Sequence, residues 1–253
     1  MAFNLNKEGK SIAVIDGGKF NKKVLSIETN ADHNKNITKE FSKLSIELTA
    51  KFQQIPDNTL TRSVGYIVGA SGSGKSTYVC NYLKQYKKVF KENQIYCFSA
   101  LDEDESIDGL DIKRILIDES LIEDPIEIED FKDSIIIFDD IDVLNPKLKK
   151  PVWEILNKAL QIGRHHNISV LVTMHLPTNK HETKIILTES QWVVYFPHSG
   201  GGRGTKYLLT EYLGLDTKSI QRIKRLKTRW CCIFKNYPQF CLTEHDAFLL
   251  GDD

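Results

Sequence analysis

The sequence predicts an α/β protein whose central, mostly parallel sheet is covered by helices on both faces, with a small N-terminal β/α appendage. Three observations carry that expectation. Short apolar runs recur along the chain, VGYIV (64–68), QIYCFSA (94–100), RILI (114–117), SIIIF (134–138), ISVLVT (168–173) and WVVYF (192–196), separated mostly by helical or polar stretches. Continuously apolar strands are buried on both faces, and their alternation with helical segments marks a layered parallel sheet. A glycine-rich turn, GASGSGKST (69–77), falls between VGYIV and the helical stretch TYVCNYLKQYKKVF (77–90). Finally, SIIIF runs directly into the carboxylate cluster DDID (139–142).

Size and composition fit one large domain, or a core with a small addition. The chain has 253 residues, 41% apolar and 27% charged, which excludes collagenous, low-complexity and wholly disordered classes. Lys and Arg total 34, as do Asp and Glu, so affinity for nucleic acid or membrane must come from local clusters. Cys80, Cys97, Cys231, Cys232 and Cys241 show no C-x-x-C spacing, which argues against a disulfide framework or a zinc ribbon. Reduced thiols and a cytoplasm-like compartment are expected. The opening MAFNLNKEGKS lacks the apolar run of a secretory signal, and no stretch approaches the ~18 apolar residues of a membrane span. No membrane partner is expected.

Ser11 to Glu28 reads as a hairpin turning at Gly17-Gly18, and 39–53 as a helix, so residues 1–60 form the appendage and 61–253 the main domain, which ends in a basic helix and terminal strands. From Asp102 to Asp133, fourteen Asp or Glu face three Lys or Arg. That segment is either an acidic docking surface or, the favoured reading, a solvated insertion between strands.

GASGSGKST fits G-x-x-x-x-G-K-[ST] in the strand–turn–helix setting that its chemistry needs. Gly69, Ala70, Ser71, Gly72, Ser73 and Gly74 are small enough for successive backbone N–H groups to curl round a phosphate. Lys75, Ser76 and Thr77 open the following helix, whose N-terminus favours negative charge. Lys75 is placed to reach the β- and γ-phosphates of ATP, and Ser76 to ligate Mg²⁺. Asp139, at the end of an apolar strand, is the expected partner of that metal, directly or through water. Asp140 points differently and could orient and deprotonate an attacking water. Read alone, the paired carboxylates could also be a strand-end turn; the phosphate loop favours the functional reading of a P-loop NTPase.

Together with ALQIGRHHNISVLVTMHLPT (159–178), GASGSGKST and IIIFDDID make the chain resemble the FtsK/HerA superfamily of ring-forming ATPases, in particular the packaging ATPases of nucleocytoplasmic large DNA viruses and their small relatives. The resemblance covers about residues 60–200. It implies a P-loop fold of the additional-strand type, hydrolysis of ATP with Mg²⁺, and translocation of double-stranded DNA into a capsid. It also implies a homo-oligomeric ring, pentameric or hexameric, and capsid or portal partners. The expected setting is the host cytoplasm at virus assembly sites, and the virion. Two departures stand out. Where relatives often carry Glu after the metal Asp, this chain has Asp140, one methylene shorter. Where cellular members often place a Gln sensor, it offers Thr173 or His175, and His175 is taken as the catalytic candidate. Arg164 in GRHH is the first candidate for an arginine finger, and Arg203 in SGGGRGT the second.

DTKSIQRIKRLKTR (216–229) holds six basic residues and one acidic. Helical spacing sets Ile220, Ile223 and Leu226 on one face and Lys218, Arg222, Arg225 and Arg229 roughly opposite, a stripe able to follow a phosphate backbone or simply to face water. KLKK (147–150) is a weaker basic patch. Two other functions stay open: a nucleotide kinase with Arg203 in a Gly-rich lid, and a non-hydrolysing nucleotide-dependent binding module.

Overall fold

The computed structural model describes residues 2–28, 42–104, 107, 109–124, 126–199 and 202–251. The chain forms two compact units, Met1–Thr59 with Trp192–Asp253, and Leu60–Gln191. Residues 192–253, read from sequence as part of the main domain, therefore cluster with the N-terminal residues.

The first unit begins with β1 (Ala2–Asn4), β2 (Lys10–Asp16), β3 (Val24–Glu28), β4 (Lys43–Ser45) and β5 (Lys51–Gln54). β1, β3, β2 and β5 form an antiparallel sheet in that order. β2 and β3 are the hairpin expected from Ser11 to Glu28. Gly17 and Gly18 turn it with φ of 87° and 62°, and a Cβ at Gly17 would lie 2.8 Å from the Thr49 carbonyl oxygen.

The helix expected over 39–53 is not formed in the described part of that span, residues 42–53, which carries β4 and β5 instead; 39–41 lie outside the described residues. Long-range pairing overrides local periodicity there. Ile46 N donates to His245 O, Phe52 N donates to Glu244 O, and the burial of β5 alternates as a strand requires.

The second unit contains β6 (Val64–Val68), α1 (Lys75–Val89), β7 (Gln94–Ser99), β8 (Ile112–Leu116), α2 (Ser120–Glu123), β9 (Ser134–Phe138), α3 (Pro146–Gln161), β10 (Ser169–Met174) and α4 (Lys180–Glu189). Its strands are all parallel, in the order β6-β10-β9-β7-β8. β10 thus lies between the strand that leads into the phosphate loop and the strand that ends in Asp139, as the additional-strand type requires. Every residue of β6, β9 and β10 is buried, so both faces of the sheet are covered. Each Ile or Phe so buried stabilises the fold by about 1.5–3 kcal/mol, and Phe98 stacks on Phe138 with centroids 5.1 Å apart. The pairings Met174 with Val68 and Phe98 with Phe138 align the C-terminal ends of β6, β10, β9 and β7. Their following loops share one edge, where parallel α/β sheets bind ligands.

The acidic segment belongs to this unit. Ile107, Leu121, Ile128 and Phe131 bury there, while most of its described carboxylates face solvent.

The first unit resumes with β11 (Trp192–Tyr195), α5 (Arg203–Tyr207), a π-helical turn over Leu208–Tyr212, α6 (Thr217–Lys224), β12 (Cys231–Phe234), β13 (Phe240–Thr243) and β14 (Asp246–Leu249). β11, β12, β13, β14 and β4 pair antiparallel in that order, so WVVYF joins an antiparallel set, and the β14–β4 pairing joins the two ends of this unit. All five cysteines are free thiols, and only Cys80 is less than buried. Among the described residues no helix is long and apolar enough to cross a membrane.

Candidate active site

The loop from Gly69 to Gly74 leaves β6 and enters α1 with left-handed backbone at Gly72 (φ 73°) and Gly74 (φ 109°). A Cβ at Gly72 would meet nothing within 4 Å, so glycine serves backbone conformation there rather than packing. No side chain caps the N-terminus of α1, and no acidic residue lies in its first turn. The amides of Lys75, Ser76 and Thr77 therefore lack intrahelical acceptors and point with the helix dipole toward the loop, a donor set suited to phosphate. Ser73 N turns back to Ala70 O at 3.1 Å, and Gly69 N donates to Met174 O, tying the loop to β10.

Lys75 is buried, and its Nζ donates to Gly69 O at 3.0 Å. The same nitrogen lies 3.3 Å from Asp140 Oδ1. The structure thus unites the phosphate-loop lysine and the second carboxylate of β9, two sites 65 positions apart in the chain.

Asp139 and Asp140 share one partner on the neighbouring strand. Thr173 Oγ1 is 2.9 Å from Asp139 Oδ1 and 3.1 Å from Asp140 Oδ1, and it accepts from Asp140 N at 2.8 Å. A hydroxyl has one proton to give, so Thr173 bonds one carboxylate at a time while its lone pair holds the Asp140 amide. Ser99, at the end of β7, is the second donor to Asp139, at 3.4 Å. Burial, reinforced by the charges of Asp140 and Asp104, raises the Asp139 carboxyl above its ordinary range, against the lowering effect of Thr173 and Ser99. Asp140 has φ 45° and ψ 41°, a left-handed conformation that turns its side chain out of the strand's alternation. Such a backbone costs of order 1–3 kcal/mol and is held by surrounding contacts.

Those contacts include His175, whose Nε2 lies 2.9 Å from Asp140 Oδ2. Asp142 accepts from the backbone N–H groups of His175 and Leu176 at 3.0 and 3.2 Å, and its other oxygen is buried with no hydrogen-bond partner. The Tyr66 hydroxyl donates to Leu176 O at 2.9 Å, and burial together with the Asp142 charge pushes its pKa up. The loop carrying His175 is therefore pinned from β6 and from the turn after β9. Asp140, Asp142 and His175 each offer a ligand atom within 4.8 Å of the others, a grouping chemically able to hold a cation beside the Ser76 and Asp139 pair read from sequence.

Arg164, the first arginine candidate, lies away from this cluster. Arg164 is exposed in a 3₁₀ turn, Gly163–His166, that precedes β10, whereas the carboxylates follow the C-terminal ends of the strands. With β10 running from Ser169 to Met174, roughly 17 Å of strand separates Arg164 from its own chain's site. It makes no hydrogen bond or ion pair among the described residues. The end of α3, which Arg164 could have capped, is held by Arg62, whose Nη2 donates to Ala159 O at 2.9 Å and Leu160 O at 2.8 Å. Arg203 is exposed and opens α5 in the other unit.

Asp142, Ser99, Tyr66 and Arg62 were not singled out in the sequence. Asp142 lies within the visible DDID cluster; the other three carry no motif.

The basic segment is shorter than read. α6 ends at Lys224, Ile220 and Ile223 are buried, and Leu226 lies beyond the helix. Lys218, Arg222, Lys224 and Arg225 are exposed, and the Arg222 guanidinium also packs 3.7 Å over the Phe248 ring. In KLKK, Lys147 pairs with Glu119 and Lys149 with Glu182, which weakens that patch as a phosphate contact.

A phosphate loop, an adjacent carboxylate strand and a strand inserted between them define a P-loop NTPase of the additional-strand type. No protein-family model matches the chain. It is 41% identical over 247 residues to the uncharacterized protein V3 of Sputnik virophage, covering 96% of this chain and 97% of that one. Its fold is similar to that of the genome packaging NTPase B204 of Sulfolobus turreted icosahedral virus 2, solved with AMPPCP, with a TM-score of 0.50 and 14% identity over 73% of this chain and 97% of that one. The cytoplasmic domain of the Thermomonospora curvata Type VII secretion ATPase EccC gives a TM-score of 0.51 at 10% identity, over 80% of this chain and 28% of that one. The chain belongs to the family of the Sputnik virophage V3 protein, and its fold is similar to that of the genome packaging NTPase B204.

Proposed function

We propose that the chain is an ATP-driven double-stranded DNA translocase that packages a viral genome into a capsid. The observation that carries the hydrolytic reading is the convergence of Lys75, Asp139 and Asp140 at the end of β10, with the Thr173 hydroxyl within hydrogen-bond distance of both carboxylates. A virophage relative and the likeness to B204, described as a genome packaging NTPase, support the packaging role.

The donor set fits ATP with Mg²⁺. Amides at the start of α1 and the Lys75 ammonium hold the β- and γ-phosphates, and Ser76 with Asp139 would hold the cation, which neutralises phosphate charge when bound. Asp140 orients the attacking water and takes its proton, while Thr173 and His175 fix its carboxylate. Arg164 reaches the phosphoryl group of a neighbouring subunit in a homo-oligomeric ring. Its separation from its own site supports action in trans, where such an arginine is worth ~10³–10⁵ in rate. Exposed bases of the 216–229 segment follow the DNA backbone. The protein then works at assembly sites in the host cytoplasm, with capsid or portal components as partners.

Phosphate release with and without duplex DNA tests this reading. A motor is strongly stimulated by DNA. A kinase needs a small acceptor instead, and a binding switch turns over negligibly in both conditions.

A further inference from the structure

Arg62 stands two residues before β6, yet its guanidinium bonds the far end of a different element. Both of its hydrogen bonds go to last-turn carbonyls of α3, Ala159 O and Leu160 O. A cation there also complements the negative end of the helix dipole. Among the described residues its buried Nε has no hydrogen-bond partner, so the side chain is committed to this site at a cost in unmet bonding. The chain leaves α3 at Ile162 and immediately makes the Gly163–His166 turn that carries Arg164. Gly163 packs at the base of that turn; a Cβ there would lie 3.3 Å from Ile168 Cβ. Arg62 therefore occupies the carbonyls at the end of α3 just before the turn, so Arg164 does not cap them and stands exposed.

We propose that Arg62 is a positioning residue, which occupies the carbonyl end of α3 and thereby presents Arg164 outward from the 163–166 turn to the nucleotide of a neighbouring subunit. The proposal rests on the trans-acting role given to Arg164 above. It separates two functions that a single subunit could otherwise confuse, because Arg62 then matters to the neighbour's site and not to its own.

Subunit mixing reads that distinction directly. Arg62→Ala should bind a fluorescent ATP analogue as the parent does, yet lose about 10²-fold in phosphate release, the scale of a small misplacement of a catalytic group. Mixed with Lys75→Ala subunits, whose Arg164 is correctly held, it should regain activity, as should Arg164→Ala mixed with the same partner. Arg62→Lys, which keeps the charge but loses the reach and the fixed planar geometry of the guanidinium, should fall between parent and Arg62→Ala. If Arg62→Ala does not fold, Arg62→Lys replaces it in the same mixtures. Full activity of the Arg62 variant overturns the proposal. So does an inactive, nucleotide-binding variant that Lys75→Ala cannot rescue although Arg164→Ala is rescued, since Arg62 would then act in its own site. Failure of the Arg164→Ala mixture itself overturns the trans-arginine reading, and this proposal with it.

Discussion

The Lys75 ammonium lies 3.3 Å from the Asp140 carboxylate, so on the proposed reading the group that holds phosphate is engaged by the group that positions water. On that reading incoming phosphate would compete with Asp140 for Lys75 and release the carboxylate, so that one ion pair would link nucleotide binding to activation of the base.

That linkage gives opposite outcomes for its two members. Lys75→Ala should weaken nucleotide binding and abolish hydrolysis. Asp140→Asn removes the competitor while keeping the shape, so affinity should hold or rise as hydrolysis falls by about 10²–10⁴. Titration with a fluorescent ATP analogue checks both, and an equal loss of affinity in the two variants contradicts the division of roles.

Thr173 gives a second test. Thr173→Val keeps the shape but leaves the Asp140 amide without its acceptor and Asp139 without the nearer of its two donors. Stability should fall by about 1–3 kcal/mol, the cost of an orphaned buried group, and kcat should fall with it. Thr173→Ser should restore both. Urea titration and phosphate release read the two effects.

Asp139 predicts a trade between stability and activity. Burial raises its carboxyl pKa in the folded protein, so the folded state binds that proton more tightly than the unfolded chain. Its contribution to stability is then most favourable at acid pH and is lost as pH rises from the ordinary carboxyl range through the raised value. At neutral pH the ionised group is a net cost. Asp139→Asn should accordingly raise Tm at pH 7 in Mg²⁺-free buffer while abolishing hydrolysis, and the gain should shrink as pH falls through the raised value and the native carboxyl takes up its proton. A lower Tm for the variant at pH 7 contradicts this.

How much of this was legible in the sequence follows from range. The phosphate loop and the strand ending in Asp139 and Asp140 were readable because their chemistry sits in consecutive residues between apolar runs. Arg62 was not, since its acceptors lie 97 and 98 positions away. Nor was Ser99, 40 positions from Asp139. The stretch 39–53 reads as helical in sequence because its strand partners are distant: β5 pairs with β2, where Ala13 faces Gln54, and β4 pairs with β14, where Ser45 bonds Asp246, 201 positions away. α6 was drawn too long because basic residues continue past Lys224, where the helix stops.

DNA contact by that segment should be read through Lys224 and Arg225, both exposed, rather than Arg222, whose stacking on Phe248 would confound binding with packing. Replacing both by Ala should flatten the slope of log K against log salt by about 0.9 for each lost phosphate contact. An unchanged slope moves the DNA site elsewhere.

The central claim is that ATP hydrolysis drives this protein along duplex DNA, and displacement of a third strand from a DNA triplex measures it most directly. The account predicts displacement that requires ATP and Mg²⁺, is lost in Lys75→Ala and Asp140→Asn, and does not depend on the sequence of the flanking duplex. Steady phosphate release on bound DNA with the triplex left intact would contradict it.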